Sequence, residues 1–282
     1  MDPKRARQMR SVTEAFHAFV YFSPAVLSEY ERVGITHPRM AYFGPRSAPL
    51  GEVPASVVAA TFYNFNPVKV AEHIPRVWSL IPPEDLVSIR LRAVSEHLPA
   101  ALGLSADASR VGEAVELARW AAESCRFEGR PLAAAHAEVQ PPDDPLTALW
   151  HYVSVLREHR GDGHIFALQV HDVDAKECLI FRRPDAETSE RYRRSRGWQE
   201  DEWAEARERL VERGYIYGSH ITEQGHEVLE SVESMTDQLA LGPWAALGDE
   251  ELDRFASHMR PMNEAAQQVV ETTPLGSAMM RR

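Results

Sequence analysis

Arg157, His159, Arg160, Asp162 and His164 fall within eight residues of one another around Arg160-Gly161-Asp162-Gly163, a density of cations, imidazoles and carboxylate that acid–base chemistry could use. An imidazole changes charge near neutral pH, so His164 is the candidate acid or base and Asp162 the carboxylate that could orient it. A plainer reading stands beside this one: the glycines form a turn, Asp162 caps a short helix over 164–171, and His164 packs against that cap. His159, His164 and His171 are spaced by five and seven residues, which fits no zinc-binding pattern, so no metal and no cofactor is expected. No Walker loop, GxGxxG, GxSxG or HExxH motif occurs, which removes the familiar nucleotide-binding, hydrolase and zincin classes.

A second group lies near the N-terminus. Residues 37–54 hold four prolines and two glycines, a composition that predicts an ordered loop, and the loop carries Arg39, Tyr42, Phe43 and Arg46. Guanidinium groups over aromatic rings suit a carboxylate or phosphate bound through a bidentate fork. Phe62, Asn64 and Phe65 could form the opposite wall, Asn64 offering both donor and acceptor, with Arg160 and His164 completing a ligand-binding set. Equally, these residues could plug the joint between two halves of the chain, the arginines satisfying loop carbonyls.

Helical periodicity dominates the elements that must carry these groups. Apolar positions recur over 11–32 with Pro24 breaking the run, and further helices are predicted over 55–62, 68–80, 83–102 and 107–126. The segment Ala137-Glu138-Val139-Gln140-Pro141-Pro142-Asp143-Asp144-Pro145 is the expected boundary, giving a helical domain over 1–140, a second over 146–270 and a frayed tail over 271–282. In the second domain a helix over 146–159 precedes the glycine turn, 178–181 reads as a brief strand, and 182–196 as an exposed basic loop or the start of a helix. A helix over 199–213 ends at Gly214, residues 215–221 allow a minimal hairpin, Thr222 can cap the next helix, and a last helix spans 249–270.

Charge is unevenly distributed. The chain of 282 residues carries −11, and residues 143–282 hold 27 Asp/Glu against 16 Lys/Arg, whereas residues 1–142 hold 15 of each. Between Trp198 and Arg213, six acids (Glu200, Asp201, Glu202, Glu205, Glu208, Glu212) accompany three arginines (Arg207, Arg209, Arg213). Duplex DNA is a polyanion held through Lys and Arg, so this balance disfavours it. The available basic groups are Arg182 and Arg183, then Arg191, Arg193, Arg194 and Arg196, the last four being the candidate nucleic-acid contacts if there are any; pairing with the acidic helix is the competing role. Two cysteines outside any CxxC spacing indicate neither a disulfide framework nor a cysteine zinc site, and no apolar run is long enough to cross a membrane; cytoplasmic residence is expected.

The order helix, short helix, strand, helix, hairpin, then Ile221-Thr222-Glu223-Gln224-Gly225 and Leu247-Gly248-Asp249-Glu250-Glu251-Leu252, resembles the MarR-type winged helix-turn-helix over roughly 146–262. The blocks Arg46-Ser47-Ala48-Pro49-Leu50-Gly51, Phe62-Tyr63-Asn64-Phe65-Asn66-Pro67, Leu156-Arg157-Glu158-His159-Arg160-Gly161-Asp162-Gly163-His164 and Arg196-Gly197-Trp198 resemble an actinobacterial family of winged-helix-like proteins over nearly the whole chain, a likeness that implies a fold and no firm activity. The MarR resemblance implies a dimer through the C-terminal helices and a wing whose arginines reach the minor groove, but the hairpin here, Tyr215 to His220, contains no arginine. The expected fold is mainly α, a helical N-terminal region packed on a winged-helix-like C-terminal region with a minimal β-wing. The leading expectation for function is a small-molecule-binding regulator or sensor with weakened or lost DNA binding. The alternatives are an enzyme on the same scaffold acting on a small anionic or aromatic substrate, and a MarR-like DNA-binding repressor.

Overall fold

Proline starts six of the helices. It lacks an N–H and has a fixed φ, which the first helical turn accommodates at no loss of a hydrogen bond; Pro45, Pro99, Pro243 and Pro261 stand inside helices as well. In chain order, α1 (Lys4–Ser11) and α2 (Glu14–Phe22) precede α3 (Pro24–Arg32), which begins at the proline expected to break the run. Then comes α4 (Pro38–Ser47), in place of the ordered loop that the composition predicts. Pro38 occupies its first turn, the His37 side chain accepts the Arg39 N–H at 3.2 Å, and Gly44 leaves room for Val77, whose Cγ2 would lie 2.9 Å from an added Cβ. Pro38 and Gly44 therefore start and pack a helix that also holds Pro45, while Pro49, Gly51 and Pro54 follow its end; composition alone could not separate that use from a loop.

α5 (Ala55–Phe62), α7 (Pro83–Leu102) and α8 (Ala108–Glu123) lie close to the predicted spans, whereas the helix expected over 68–80 is a short α6 (Pro67–Ala71) followed by a separate 3-10 turn (Arg76–Ser79), and α9 (Pro131–Ala137) stands where the sequence indicated no helix. α10 (Pro145–Val170) corrects a second expectation: it runs without interruption through Arg160-Gly161-Asp162-Gly163, so there is no turn and no new helix at His164. Its Gly163 is needed for close approach, since a Cβ there would meet Arg130 Nη1 at 2.7 Å and Leu239 Cβ at 3.3 Å. Arg130 lies in that space and donates to the carbonyls of His159 and Leu239, tying two helices together.

The residues expected to form a strand are in α11 (Glu177–Arg182). A reciprocal cap starts it: Glu177 N donates to Asp174 Oδ1 at 2.8 Å and Asp174 N to Glu177 Oε2 at 3.0 Å. The basic segment is α12 (Ala186–Arg196), capped by Asp185, which accepts the Thr188 N–H at 2.8 Å. Gly197, at φ +79°, turns the chain from α12 into α13 (Glu200–Glu212). The hairpin is minimal, β1 (Ile216–Tyr217) pairing antiparallel with β2 (His220–Ile221), and Thr222 Oγ1 accepts the Gly225 N–H at 3.0 Å to open α14 (Glu223–Ala245). α15 (Asp249–Val270) completes the described residues. The structure, a computed structural model, describes residues 1–273 and is 75% helical; from residue 274 onward the expected tail lies outside the described residues.

Two apolar cores organise these helices. The larger gathers Phe16, Phe19, Phe43, Leu86, Trp150 and Phe255, and the smaller gathers Phe181, Trp198, Trp203, Leu210, Ile216 and Val232. Burying each such side chain contributes about 1.5–3 kcal/mol. α10 spans both, with Leu149 and Val153 in the first and Ala167 and Leu168 in the second. α15, which the MarR resemblance assigned to dimerisation, turns Leu252, Phe255, Met259, Met262 and Ala266 inward against α2, α7 and α8. Among the described residues no helix is long and apolar enough to cross a membrane.

Candidate functional site

Where α10 passes from one core to the other, a cavity of about 1090 Å³ opens between α2, α4, α5, α10, α12 and α14. Small-molecule sites usually occupy roughly 300–1,000 Å³ and sit at such joints. Every residue of the predicted ligand-binding set lines it: Arg39, Tyr42 and Phe43 with Arg46 from α4, Phe62 with Asn64 and Phe65, and Arg160 with His164 from α10. Sequence separation hid other lining residues, among them Tyr21 on α2 and Glu233 on α14, whereas Glu158 on α10 lies between the candidates Arg157 and His159 and is not among them.

The inner end of the cavity is built on Glu158, fully buried, whose carboxylate accepts Arg46 Nε at 2.8 Å, Arg46 Nη2 at 2.7 Å and Arg157 Nη1 at 2.7 Å. Burial pushes the Glu158 carboxyl up, but Arg157 and Arg46 outweigh it and hold it well below the usual carboxylate range. Arg46 also donates to Tyr42 Oη at 3.1 Å, and its guanidinium lies 4.4 Å from the Phe62 ring centre. Burial raises the Tyr42 phenol too, yet Arg46, Arg157 and Arg196 bring it below the ordinary phenol value, so positive potential dominates there.

A second polar group lies where α10 meets α14. Glu233 accepts Arg160 at 3.2 Å and Arg182 at 2.5 Å, and Asp237 accepts Arg160 at 2.9 Å and Arg7 at 2.8 Å. Burial raises Glu233, but Arg182, His164 and Arg160 pull it down to about 2. His164 Nδ1 meets Thr236 Oγ1 at 2.9 Å, and burial, with Arg182 next, pushes the imidazole down to about 3. Asp162 accepts the Leu132 and Ala133 N–H groups at 3.1 and 3.0 Å, which makes it a cap for α9, and burial lifts it to about 6. Two positions apart on one helix, Asp162 and His164 point in different directions and bind different helices, so they form no acid–base dyad. Asp162 caps a helix, but that helix is α9 and not one beginning at His164.

The predicted nucleic-acid arginines divide. Arg191 and Arg196 line the cavity, while Arg193 and Arg194 share Glu190, Arg193 at 2.7 Å and Arg194 at 2.5 Å. Their ion-pair partner is on their own helix, and Glu200 on the acidic helix α13 adds a weaker attraction to Arg193. On α13 the arginines turn back: Arg207 donates to the Pro184 and Gly218 carbonyls, and Arg209 donates to Glu177 and Asp174. Asp201, Glu205, Glu208 and Glu212 are left exposed at helical spacing along one stripe. First-turn acids complement the helix dipole, which accounts for Glu200 to Glu202 and leaves the later three without that role.

Three bonds join the cavity wall to the α12–α13 turn: Arg39 Nη2 to the Arg194 carbonyl at 2.8 Å, Asn66 N to the Arg196 carbonyl at 3.0 Å, and Trp198 Nε1 to the Asn64 carbonyl at 3.1 Å. Two helices meeting at a glycine turn, with α11 behind them and a hairpin after them, define a helix-turn-helix with a short wing. In agreement, residues 6–272 match a family described as "Helix-turn-helix family", and the chain belongs to it. Comparison with curated proteins and with solved structures finds no match.

Proposed function

We propose that this protein is a small-molecule-binding regulator or sensor, derived from a MarR-like winged helix, whose DNA binding through α13 is weakened or lost and whose cavity takes an anionic ligand. One observation carries the reading. In a chain of net charge −11, nine arginines and five carboxylates line one cavity, so positive charge is concentrated inside while the helix preceding the wing presents acids to solvent. The bonds from Arg39, Asn64 and Asn66 to the α12–α13 turn give a ligand a mechanical route to that turn. The enzyme reading loses its proposed dyad, because Asp162 caps α9 and His164 is held by Thr236.

Two measurements test this. Thermal unfolding should shift upward with small organic anions and not with their neutral analogues; the absence of any anion-specific shift would end the sensor reading. Mobility of labelled duplex DNA at about 50 mM salt should be unaffected by the wild-type protein and retarded by Asp201→Asn/Glu205→Gln/Glu208→Gln/Glu212→Gln. Tight, salt-sensitive binding by the wild type would instead restore the DNA-binding repressor.

A further inference from the structure

We propose that Arg90 on α7, with the hydroxyls of Tyr21 on α2 and Tyr30 on α3, holds a small monovalent anion of the chloride class in the helical core. The site shares only Tyr21 with the large cavity and does not rest on the sensor reading. Arg90 is fully buried where α7 packs against α2, α3 and α4. Its Nη1 donates to the Pro45 carbonyl at 2.8 Å and its guanidinium lies 5.5 Å from the Trp150 ring centre, while Nε and Nη2 donate to nothing. Glu158 is the carboxylate whose charge reaches Arg90, and both its oxygens are taken by Arg46 and Arg157. A guanidinium does not shed its proton in a protein, so burial calls for a counter-ion.

The other side chains packed there bring no negative charge. His136 Nε2 donates to the Arg46 carbonyl at 3.1 Å, next in sequence to the carbonyl that Arg90 uses. Burial, and then Arg90, hold the His136 and His151 imidazoles low, so both are neutral. Tyr21 and Tyr30 act electrostatically on Arg90, are 6% and 0% exposed, and neither hydroxyl has a hydrogen-bond partner. Buried polar atoms are seldom left so, and here two guanidinium nitrogens and two hydroxyls gather around one charge. A water molecule would satisfy such donors and leave the charge, whereas an anion answers both. Enclosure selects its kind, because the occupant must give up its hydration, and that cost climbs steeply for a multiply charged ion such as sulfate.

Urea unfolding of the full chain in sodium chloride and in sodium fluoride at constant ionic strength tests the site, fluoride being the more strongly hydrated ion. Replacing fluoride by chloride from about 1 to about 100 mM should lower the unfolding constant about tenfold, the linkage expected for a dissociation constant of about 10 mM. Arg90→Met, uncharged and similar in length, should abolish that response and be at least as stable as the wild type in fluoride, because it removes an unpaired charge. Tyr30→Phe should keep the stability seen in fluoride and weaken the response several-fold, and Arg157→Gln in the large cavity should leave the response intact. In crystals grown with sodium bromide, anomalous scattering should place bromide beside Arg90. Equal stability in the two salts, or a response that survives Arg90→Met, would overturn the proposal. So would a response lost in Arg157→Gln, or bromide found in the large cavity alone. Should Arg90→Met fail to fold, Tyr30→Phe and the bromide position decide.

Discussion

Removing the carboxylate at the centre of the cavity's inner end should be among the most damaging single changes to the fold. Glu158→Gln keeps the shape but takes away the charge that accepts three N–H groups at 2.7–2.8 Å from two guanidiniums in a fully buried position. Breaking a buried ion pair by removing one partner costs about 3–5 kcal/mol, mostly because the opposite charge stays buried and uncompensated. Here two like charges are left. Neutralising one of them should therefore help: Arg157→Gln in the Glu158→Gln background should recover about 1–3 kcal/mol, although alone it does little because Arg46 and Glu158 still pair. Urea unfolding at pH 7, followed by the fluorescence of the six tryptophans, measures all four members of the cycle. A loss under about 1 kcal/mol for Glu158→Gln, or strict additivity with Arg157→Gln, would refute the electrostatic account of this site.

Three further outcomes follow from the geometry. Burial, then Arg157, lowers the His17 imidazole to about 3, so below the unfolded value near 6.5 the unfolded chain takes up a proton that the fold refuses. Stability from this group is complete above that value and lost as pH falls towards 3; between pH 7 and 5 the loss is about 2 kcal/mol, and urea midpoints of His17→Gln should show that much less pH dependence. Asp162→Ala should cost about 1–2 kcal/mol by uncapping α9, and Asp162→Asn less, with faster amide exchange at Leu132 and Ala133 as the local signature. Gly225→Ala would drive a Cβ into the Tyr215 carbonyl oxygen and should destabilise the wing by about 1–3 kcal/mol; a neutral melting temperature would contradict the packing described.

Periodicity and caps were readable where one stretch of chain decides its own conformation. Residues 83–102 and 249–270, the hairpin, and the Thr222 cap all stand where apolar spacing, Gly214 and a threonine hydroxyl place them. Residues 178–181 read as a strand in isolation, whereas the Asp174–Glu177 capping box four residues earlier starts a helix there. The glycines of 160–163 and the prolines of 37–54 misled for another reason. Both residue types mark turns in isolation, and only the neighbours, Arg130 and Leu239 at Gly163 and Val77 at Gly44, show that the glycines serve close packing inside helices.

The sequence by itself determined a mainly helical chain with a winged C-terminal half, the acidity of the helix preceding the wing, and the residue types fit to hold an anion. It determined these because helix periodicity and net charge are local sums over consecutive residues. Tertiary structure alone decided that Tyr21, Arg46, Glu158 and Glu233, drawn from four helices, face one cavity, and that His164 and Asp162 part company on α10. Which side chains meet depends on how helices cross, and a charge becomes consequential only once its partners and its depth from solvent are fixed.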